Sequence, residues 1–375
     1  MAHPVRRFTK RLIIFFNILA SLLFLLGCYS YLLDPAEYWY TGFFTLAAFY
    51  LFLVLIIFIF FWLVAKPGYM LISLVTIAIA WQPLRHLVKI RSYSDFSNIK
   101  KNNAIRVMDW NVEQFEISTH KTNPQQKQQM LDIIKSYQPD VACFQEMVAS
   151  DSIPTALNYI PDFAKEFNMP YYYFSYNSKL DYDNNHHFGI VIFSKFPIIQ
   201  NKSISHPPNN YNYIFQYVDI VKDLDTFRVF NLHLQSLKFS AADRKYLDGP
   251  TIDDETNFRQ SRNILYKFKN GFLNRQLQSQ YVKVEVNKSP YPVIVCGDFN
   301  DVPNSYAYHR IGEGLYNAFA EKGSGIGRTF SHISPTLRID NMFVDKRFSV
   351  MQYTRNNKRI SDHFPIVADL YYNKP

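Results

Sequence analysis

Residues 293–300 of this 375-residue chain read VIVCGDFN, an apolar run that ends in Gly297, Asp298 and Asn300. A short run rich in β-branched residues and closed by turn-forming residues is typical of a buried strand. Two side chains that carry oxygen ligands therefore stand where a predicted strand ends. Groups held at the end of a rigid strand are placed with little positional freedom, which is what a catalytic or binding site requires.

Five further apolar runs begin or end on side chains that bind metals or phosphate. These side chains are Asn111, Glu146, His233, Asp340 and the pair Asp362 and His363. Taken singly, each is more often a turn, cap or surface residue. Together, several carboxylates with an amide and imidazoles form an oxygen-rich set that suits Mg²⁺ or Mn²⁺ and not a thiolate metal. The repeated strand-end placement therefore predicts one metal-dependent site.

Strand-like runs alternate with helical stretches from residue 105 onwards, which predicts a layered α/β domain. The predicted strands are 104–108, 141–144, 189–193, 218–220, 227–232, 293–295, 339–344 and 366–370. The predicted helices are 127–137, 153–167 and about 254–284. Cys143 and Cys296 lie within such strands and are predicted to pack in the core, since free cysteine is among the most buried residue types.

Five motifs follow one another in an order that resembles the endonuclease/exonuclease/phosphatase superfamily. They are MDWN at 108–111, FQE at 144–146, GDFN at 297–300, RID at 338–340 and SDH at 361–363. The superfamily includes DNase I-like nucleases, inositol-polyphosphate 5-phosphatases and neutral sphingomyelinases. The resemblance covers about residues 105–370 and implies a four-layered α/β sandwich, in which two mostly antiparallel sheets pack together between outer helices. It also implies a metal-dependent hydrolase of phosphodiester or phosphomonoester bonds.

The resemblance implies which residues hold the cation and the attacking water. Glu146 would be a principal ligand of Mg²⁺ or Mn²⁺, with Asn111 and Asp362 nearby. Asp298 would orient or deprotonate the water, and Asn300 would position the water or a phosphate oxygen. Attack would be in line, without a covalent enzyme intermediate.

The resemblance likewise implies which residues face the phosphate. Asp340 would pair with His363 and fix its tautomer, so that the imidazole faces the phosphate. His233 would contact the phosphate or protonate the leaving oxygen. Six neighbouring polar residues stay open between a supporting role and simple exposure to solvent: Asp109, Glu113, Gln145, His187, Gln235 and Asp301.

The first 94 residues have a different composition and predict a membrane region. Residues 12–33 and 41–65 are almost uncharged, and each matches the ~20 residues that cross the hydrocarbon as a helix. A third apolar segment, 68–84, is shorter and contains Pro83, so it is a third span, a re-entrant segment or an interfacial segment. The predicted organisation is thus two to three transmembrane helices, a linker at 95–104 and a catalytic domain at 105–375.

Two alternatives remain for the first segment. The basic residues ahead of it also fit the charged region of a cleavable signal peptide. The sequence LLGC at 25–28 resembles a lipoprotein cleavage box in which Cys28 would carry the lipid.

The distribution of charged residues along the chain indicates the membrane topology. Residues 1–94 hold eight basic and two acidic residues, a balance of +6 within the total of +9, so residues 95–375 carry only +3. The basic cluster before the first span favours a cytoplasmic N-terminus. Three spans would then place the catalytic domain outside the cytoplasm, and we expect an integral protein of a bacterial inner membrane. Arg85, Lys89 and Arg91, which follow the third segment, favour the opposite side.

The predicted partners are the lipid bilayer and a phosphate-ester substrate, either nucleic acid or a phospholipid head group. The weak charge of residues 95–375 does not favour long polynucleotide. Nothing in the sequence predicts a protein partner. The alternative function is a catalytically inactive member of the fold that acts as a membrane-tethered binding module.

Overall fold

A computed structural model of the chain describes residues 4–91, 95–101, 103–115, 123–150, 158–176, 186–205, 214–249 and 254–374. Its larger part contains two sheets of six strands each. The first sheet has the order β11-β12-β1-β2-β4-β3 and the second the order β5-β6-β7-β8-β10-β9. The strands are β1 Ile105–Asn111, β2 Val141–Ser150, β3 Tyr171–Tyr176, β4 His186–Ser194, β5 Ile198–Ser205, β6 Ile214–Lys222, β7 Asp225–His233, β8 Val293–Asp298, β9 Tyr316–Asn317, β10 Asp340–Val344, β11 Phe348–Arg355 and β12 Ile366–Tyr372.

The two sheets pack face to face over a shared apolar core. Each sheet contains one parallel pair, β1 with β2 and β7 with β8, and its other pairs are antiparallel. Val107 and Cys143 of the first sheet meet Val229 and Cys296 of the second in this core. Both cysteines are buried and free, as predicted.

Helices cover the outer faces of both sheets. The helices α6 Pro124–Tyr137 and α7 Ile160–Glu166 pack on the first sheet, and α9 Asp254–Asn287 and α10 Tyr306–Gly312 pack on the second. The remaining helices of this part are α8 Ala241–Asp248 and α11 Ala318–Lys322. The four-layered sandwich predicted from the sequence is therefore confirmed.

The N-terminal part is a helical bundle. Its helices are α1 Pro4–Tyr29, α2 Pro35–Tyr38, α3 Thr41–Ala65, α4 Met70–Ile79 and α5 Trp81–Leu87. Two helical segments, Val5–Leu32 and Thr41–Ala65, are long and apolar enough to cross a membrane, and a third counts if the bent pair Pro67–Ile79 and Trp81–Leu87 is one span. Cys28, the candidate lipidation site, is buried inside this bundle.

The third segment is bent by 72° between its two helices. Pro83 has no amide hydrogen to donate to the carbonyl of Ile79, four residues earlier, so the helical ladder is interrupted there. The Tyr29 hydroxyl donates to that Ile79 carbonyl at 2.7 Å and satisfies it. The bend therefore has a defined cause and is packed against α1.

Four strands were not predicted from the sequence. β5 is largely exposed and polar, and β9 is only two residues long. A register shift between Val350 and Gln352 breaks the alternation of β11, and β3, whose tyrosine-rich sequence fits a strand or core aromatics as well as a binding surface, is an edge strand with several exposed side chains. The predicted helix 153–167 is α7, Ile160–Glu166, while residues 153–157 lie outside the described residues.

Candidate active site

Strand alternation brings the polar strand ends together. Along β8, Ile294 and Cys296 face the core between the sheets, and Asp298, two residues further on, continues the same face at the strand end. Side chains two residues apart share a face of a strand, so an apolar face becomes polar where the sandwich opens. The same pattern delivers Asn111 from β1, His233 from β7, Asp298 from β8 and Asp340 from β10.

A β-bulge supplies Glu146. Gln145 faces the second sheet and donates to Asn231 at 2.7 Å, so simple alternation would turn Glu146 to the opposite face. The register between β2 and β4 shifts between Phe144 and Met147, and Glu146 takes the left-handed conformation with φ 54°. Bulges re-aim a side chain in this way, and this one turns Glu146 into the site.

Glycine is required immediately before Asp298. Gly297 has φ 144°, and a Cβ at this position would lie 2.1 Å from the carbonyl oxygen of Leu232 on the neighbouring strand. A larger residue would separate β8 from β7. The close approach keeps Asp298 beside His233, its register partner across the two strands.

Asn111 lies between the two carboxylates of the site. Its Nδ2 donates to Glu146 Oε1 and to Asp298 Oδ2, each at 3.2 Å. His233 Nε2 lies 3.7 Å from the same oxygen of Glu146 and 3.8 Å from the same oxygen of Asp298. Four side chains from four strands of two sheets thus converge on one point.

His363 completes the arrangement from the loop before β12. Its Nδ1 pairs with Asp340 Oδ2 at 2.9 Å, which leaves Nε2 facing Asp298 Oδ2 at 3.7 Å and Asp362 Oδ1 at 3.9 Å. The Trp110 indole donates to the His363 carbonyl at 2.9 Å and holds the backbone in place.

Asn300 lies against Asp298 just after β8. Its backbone N–H donates to Asp298 Oδ1 at 2.7 Å and its Nδ2 to Asp298 Oδ2 at 3.1 Å. Contacts of at most 3.9 Å therefore connect all eight side chains that the sequence singled out.

Burial and neighbouring charges give His233 and His363 different protonation states. Burial, then the charges of His363 and Lys238, lower the pKa of His233 to about 3, so His233 is neutral at neutral pH. Burial alone would lower the pKa of His363, but the charges of Asp340, Asp298 and Asp362 together raise it well above the ordinary value. His363 is therefore the cationic member of the pair. Burial raises the pKa of Asp298, although the charge of His363 opposes this.

The donor set fits a hard divalent cation. Glu146 and Asp362 keep 21% and 16% of their side chains exposed, against 1% for Asp298 and for Asp340, so a cation can reach the former pair from solvent. His233 Nε2 is buried without a hydrogen-bond partner among the described atoms, and it points toward the carboxylate of Glu146. Carboxylate oxygens beside an unsatisfied polar atom are the environment that Mg²⁺ or Mn²⁺ with its bound water would complete.

A different trio also offers ligand atoms. Atoms of Asp298, Asp340 and His363 all lie within 4.8 Å of one another. Asp340 is, however, already hydrogen-bonded to Nδ1 of His363, and all three side chains are buried. This trio is better described as a histidine held between two carboxylates.

The six polar residues whose role the sequence left open fall into two groups in the structure. Gln145 donates to Asp109 and Asn231 at 2.7 Å each in a buried polar network beneath the site, and Glu113 accepts the backbone N–H of Asp362 at 2.9 Å. The others lie further out: Asp301 pairs with Arg275, whose Nη1 reaches the Gln235 carbonyl, and His187 stacks on Tyr176.

Sequence reasoning did not identify Thr329 and Phe330. The buried Oγ1 of Thr329 accepts the backbone N–H groups of Ile339 and Asp340 at 2.9 and 3.0 Å. The Phe330 ring meets the His363 ring edge-on, with 5.0 Å between centroids. No periodic or motif signal marks these residues, because their role depends on a fold-back of the chain.

The fold and the site define a class of proteins, the two-sheet α/β sandwiches with an acidic, histidine-containing site at one end. The sequence profile of the Endonuclease/Exonuclease/phosphatase family matches residues 110–363. The chain belongs to this family, whose members are hydrolases of phosphate esters that typically use divalent metals. Membership supports a phosphoesterase- or nuclease-type function.

One solved structure, with a TM-score of 0.50, supports the fold, and two others are similar to the chain with lower scores. A family protein from Beutenbergia cavernae is 17% identical with a TM-score of 0.50, and the match covers 72% of each chain. A family protein from Leptotrichia buccalis is 16% identical over 72% of this chain and 100% of its own, with a TM-score of 0.49. The human Nocturnin catalytic domain with bound sulfate is 19% identical over 73% of this chain and 96% of its own, with a TM-score of 0.49.

Two further comparisons were made. A second profile, described as a domain of unknown function, matches residues 10–87 and so covers the helical bundle. A search of curated proteins finds no significant match.

Proposed function

We propose that the chain is a membrane-anchored, divalent-metal-dependent phosphoesterase that hydrolyses its substrate by in-line attack of activated water. The observation that supports this most is the convergence of Glu146, Asp298 and His233 within 3.8 Å contacts, although they come from different strands. An inactive binding module would not need all eight polar side chains to be kept at one point.

In this proposal Glu146, with Asp362 and Asn111 beside it, holds Mg²⁺ or Mn²⁺. The cation supplies Lewis-acid stabilisation of charge on the phosphate. In the structure Asn111 presents Nδ2 to the carboxylates, while its Oδ1 accepts from the Glu113 N–H. A direct ligand role for Asn111 therefore requires rotation of its amide.

Asp298 acts as the base. Its carboxylate is fixed by Asn300 and Asn111, so it can accept a proton as the water oxygen bonds to phosphorus and the ester P–O bond breaks. The cationic His363, held by Asp340, balances the negative charge that develops on the phosphate. Neutral His233 donates a hydrogen bond to a phosphate oxygen. Its lowered pKa keeps it unprotonated, so it does not serve as the general acid, and the leaving oxygen takes its proton from solvent water.

We further propose that the catalytic domain lies outside the cytoplasm of a bacterial cell, across the inner membrane. Lys10 and Lys66 both lie over the Tyr69 ring, at 4.8 and 5.5 Å, so the basic N-terminus and the end of α3 share one side. The segment from Tyr69 returns to Tyr29, at the other end of α1, which favours a third crossing. Beyond it, Lys89 pairs with Gly325 of the sandwich. The positive-inside rule then places the five cations of the N-terminal side in the cytoplasm.

Metal removal tests the enzymatic part of this proposal. The full-length protein is assayed with a chromogenic phosphodiester and a phosphomonoester before and after dialysis against EDTA, and again after Mg²⁺ or Mn²⁺ is restored. We expect activity to vanish on chelation and to return with the cation, and Asp298→Asn to stay inactive in both. Unchanged activity after chelation would exclude the metal role.

A further inference from the structure

One loop connects the active site with a helix that is apolar enough to span a membrane. We call Thr329–Leu337 the site loop. At its base Phe330 touches the His363 ring, and at its tip the Ser334 hydroxyl lies 2.7 Å from the hydroxyl of Tyr50 on α3. Phe330 and Ser334 are four positions apart in the chain, so at most about 14 Å of backbone lies between the contact with the active site and the contact with α3.

Backbone hydrogen bonds close the base of the site loop and attach it to the segment before His363. The N–H groups of Thr329 and Phe330 donate to the Leu337 carbonyl at 2.9 and 3.1 Å, which closes the base. The Ser331 N–H donates to the Asp362 carbonyl at 2.7 Å, and Arg328 donates to the Phe330 carbonyl at 2.6 Å. The loop therefore has a fixed position relative to both the site and α3.

Helix lengths place the membrane boundary at this loop. About 20 residues cross the hydrocarbon, so counting back from Lys66 at the far end of α3 reaches Leu46, about one turn from Tyr50. The same count from Arg11 along the helical segment Val5–Leu32 reaches Tyr31, whose ring stacks on His309 of the sandwich at 3.6 Å between centroids. Both helices thus put the lipid surface where the sandwich begins.

Ile333 stands exposed beside this boundary. It is 56% exposed and has φ 64°, a conformation that is uncommon for a β-branched residue. Its neighbour Ser334 contacts Tyr50, which is itself 44% exposed. An apolar side chain held in this way at the level of the head groups would face lipid.

Two arginines, Arg328 and Arg355, lie between the site loop and the segment around His363. Arg355 Nη1 donates to the Arg328 carbonyl at 2.7 Å, and its guanidinium lies 4.8 Å from the Phe364 ring, next to His363. Arg328 Nε donates in turn to the carbonyl of Phe330, whose ring meets the His363 ring, so both guanidinium groups are held close to His363. Guanidinium groups in this place would attract an anionic head group.

We propose that the substrate is a phosphate ester of a membrane lipid, which enters from the bilayer beside the site loop and is drawn in by Arg328 and Arg355. This inference rests on the proposed phosphoesterase function and names its substrate class. Nucleic acid is disfavoured because residues 95–375 carry a net charge of only +3.

The test uses the full-length protein in nanodiscs, which expose both faces of the bilayer. The nanodiscs contain phosphatidylcholine mixed with phosphatidylglycerol, phosphatidic acid or sphingomyelin, and lipid products are measured by mass spectrometry with Mg²⁺ present. The same preparation is assayed with bis(p-nitrophenyl) phosphate and with plasmid DNA. Ile333→Asn is compared with Leu224→Asn, because Leu224 is 94% exposed in the turn before β7, at the opposite end of that strand from His233.

We expect hydrolysis of at least one lipid, and a ratio of lipid to soluble-ester hydrolysis that falls about fivefold in Ile333→Asn, because an apolar lipid contact is lost. Leu224→Asn should leave the ratio unchanged. If the soluble ester or DNA is hydrolysed and no lipid is, the lipid inference is wrong while the phosphoesterase proposal stands. An unchanged ratio in Ile333→Asn would likewise overturn the inference. If neither the lipids, the soluble ester nor the DNA is hydrolysed with Mg²⁺ present, the proposed function is wrong, and the inference with it.

Discussion

At the scale of single residues, the site depends on two carboxylates that reach the same point from opposite sheets. Glu146 arrives through a bulge in β2, and Asp298 arrives through the alternation of β8 after a glycine that permits close packing. The first is partly exposed and the second is buried, so their surroundings favour different roles. A partly exposed carboxylate suits a cation, and a buried one with a raised pKa suits proton transfer.

Replacement of Glu146 tests this division. Glu146→Gln keeps the size and one oxygen of the side chain but removes its charge, so we expect Mg²⁺-dependent hydrolysis to fall by at least about a hundredfold. The measurement is the rate of phosphodiester hydrolysis at saturating Mg²⁺. Glu313→Gln is the matched control, since Glu313 is exposed and contacts Arg310 away from the site. Equal rates in both variants would remove Glu146 from the mechanism.

The candidate site residues could be predicted because each of them lies next to an apolar run in the sequence. The interactions that hold them in place could not, because those involve residues far apart in the sequence. Asp298 and His363 stand beside apolar runs, and strand alternation is enough to gather such ends at one edge. The bulge at Glu146 left no sequence signal, since it exists only in the pairing of β2 with β4. Thr329 likewise could not be predicted, because its hydroxyl accepts a hydrogen bond from the backbone N–H of Asp340 on the far side of a loop.

At the scale of elements, the bundle and the sandwich meet through short polar and aromatic contacts. His309 of α10 stacks on Tyr31, and Asn304 receives hydrogen bonds at Oδ1 from His86 at 3.2 Å and His309 at 3.4 Å. The Phe272 ring of α9 packs against Gly42 of α3, where a Cβ would lie 2.6 Å from it. These contacts fix the sandwich on the N-terminal helical bundle.

The burial of His309 makes the free energy of unfolding depend on pH. Burial and then the charge of His86 lower the pKa of His309 to about 3, whereas the unfolded chain takes up this proton below about 6.5. The unfolded state therefore binds more protons in this window, and the free energy of unfolding decreases as pH falls from 6.5 toward 3. His309 alone would account for up to about 2 kcal/mol at pH 5.

We expect His309→Gln to lose part of this pH dependence. The unfolding temperature of the full-length protein in detergent is measured at pH 7.5 and pH 5, and the drop between them should be a few degrees smaller in His309→Gln than in the wild type. His332→Gln, at an exposed position, should behave like the wild type. A drop of wild-type size in His309→Gln would contradict the assignment of a buried, neutral His309.

Elements that are apolar along their whole length could be predicted from the sequence, and strands at the edges of the sheets could not. Central strands such as β8 are buried on both faces and stand out as apolar runs, while β5 is exposed and polar along most of its length. The long apolar helices α1 and α3 were equally clear. The 72° bend before α5 follows from Pro83, but the Tyr29 contact that fixes it depends on tertiary packing.

At the scale of the whole molecule, the charges at the two ends of the bundle favour one orientation. Lys10 and Lys66 share one end through Tyr69, and the acidic α2 with its N-cap Asp34 lies at the other end beside the sandwich. The helices α1 and α3 pack closely at this second end of the bundle, since a Cβ at Gly27 of α1 would lie 2.2 Å from the Phe44 carbonyl oxygen of α3.

Reporter fusions test this orientation. In a bacterial host, an alkaline phosphatase fused after Pro375 should be active, because that enzyme needs the extracytoplasmic side, and a fluorescent protein that folds only in the cytoplasm should be dark there. Fusions after Lys66 should give the reverse result. An active phosphatase at Lys66 together with an inactive one at Pro375 would invert the topology.

The central claim is that polar strand ends from both sheets surround a single divalent cation. Electron paramagnetic resonance of Mn²⁺ titrated into the full-length protein tests this without any substrate. We predict one bound Mn²⁺ per chain, with affinity at least about tenfold weaker in Glu146→Gln and unchanged in Glu313→Gln. Mn²⁺ binding of equal affinity in the wild type and in Glu146→Gln, or no binding by the wild type, would contradict the account.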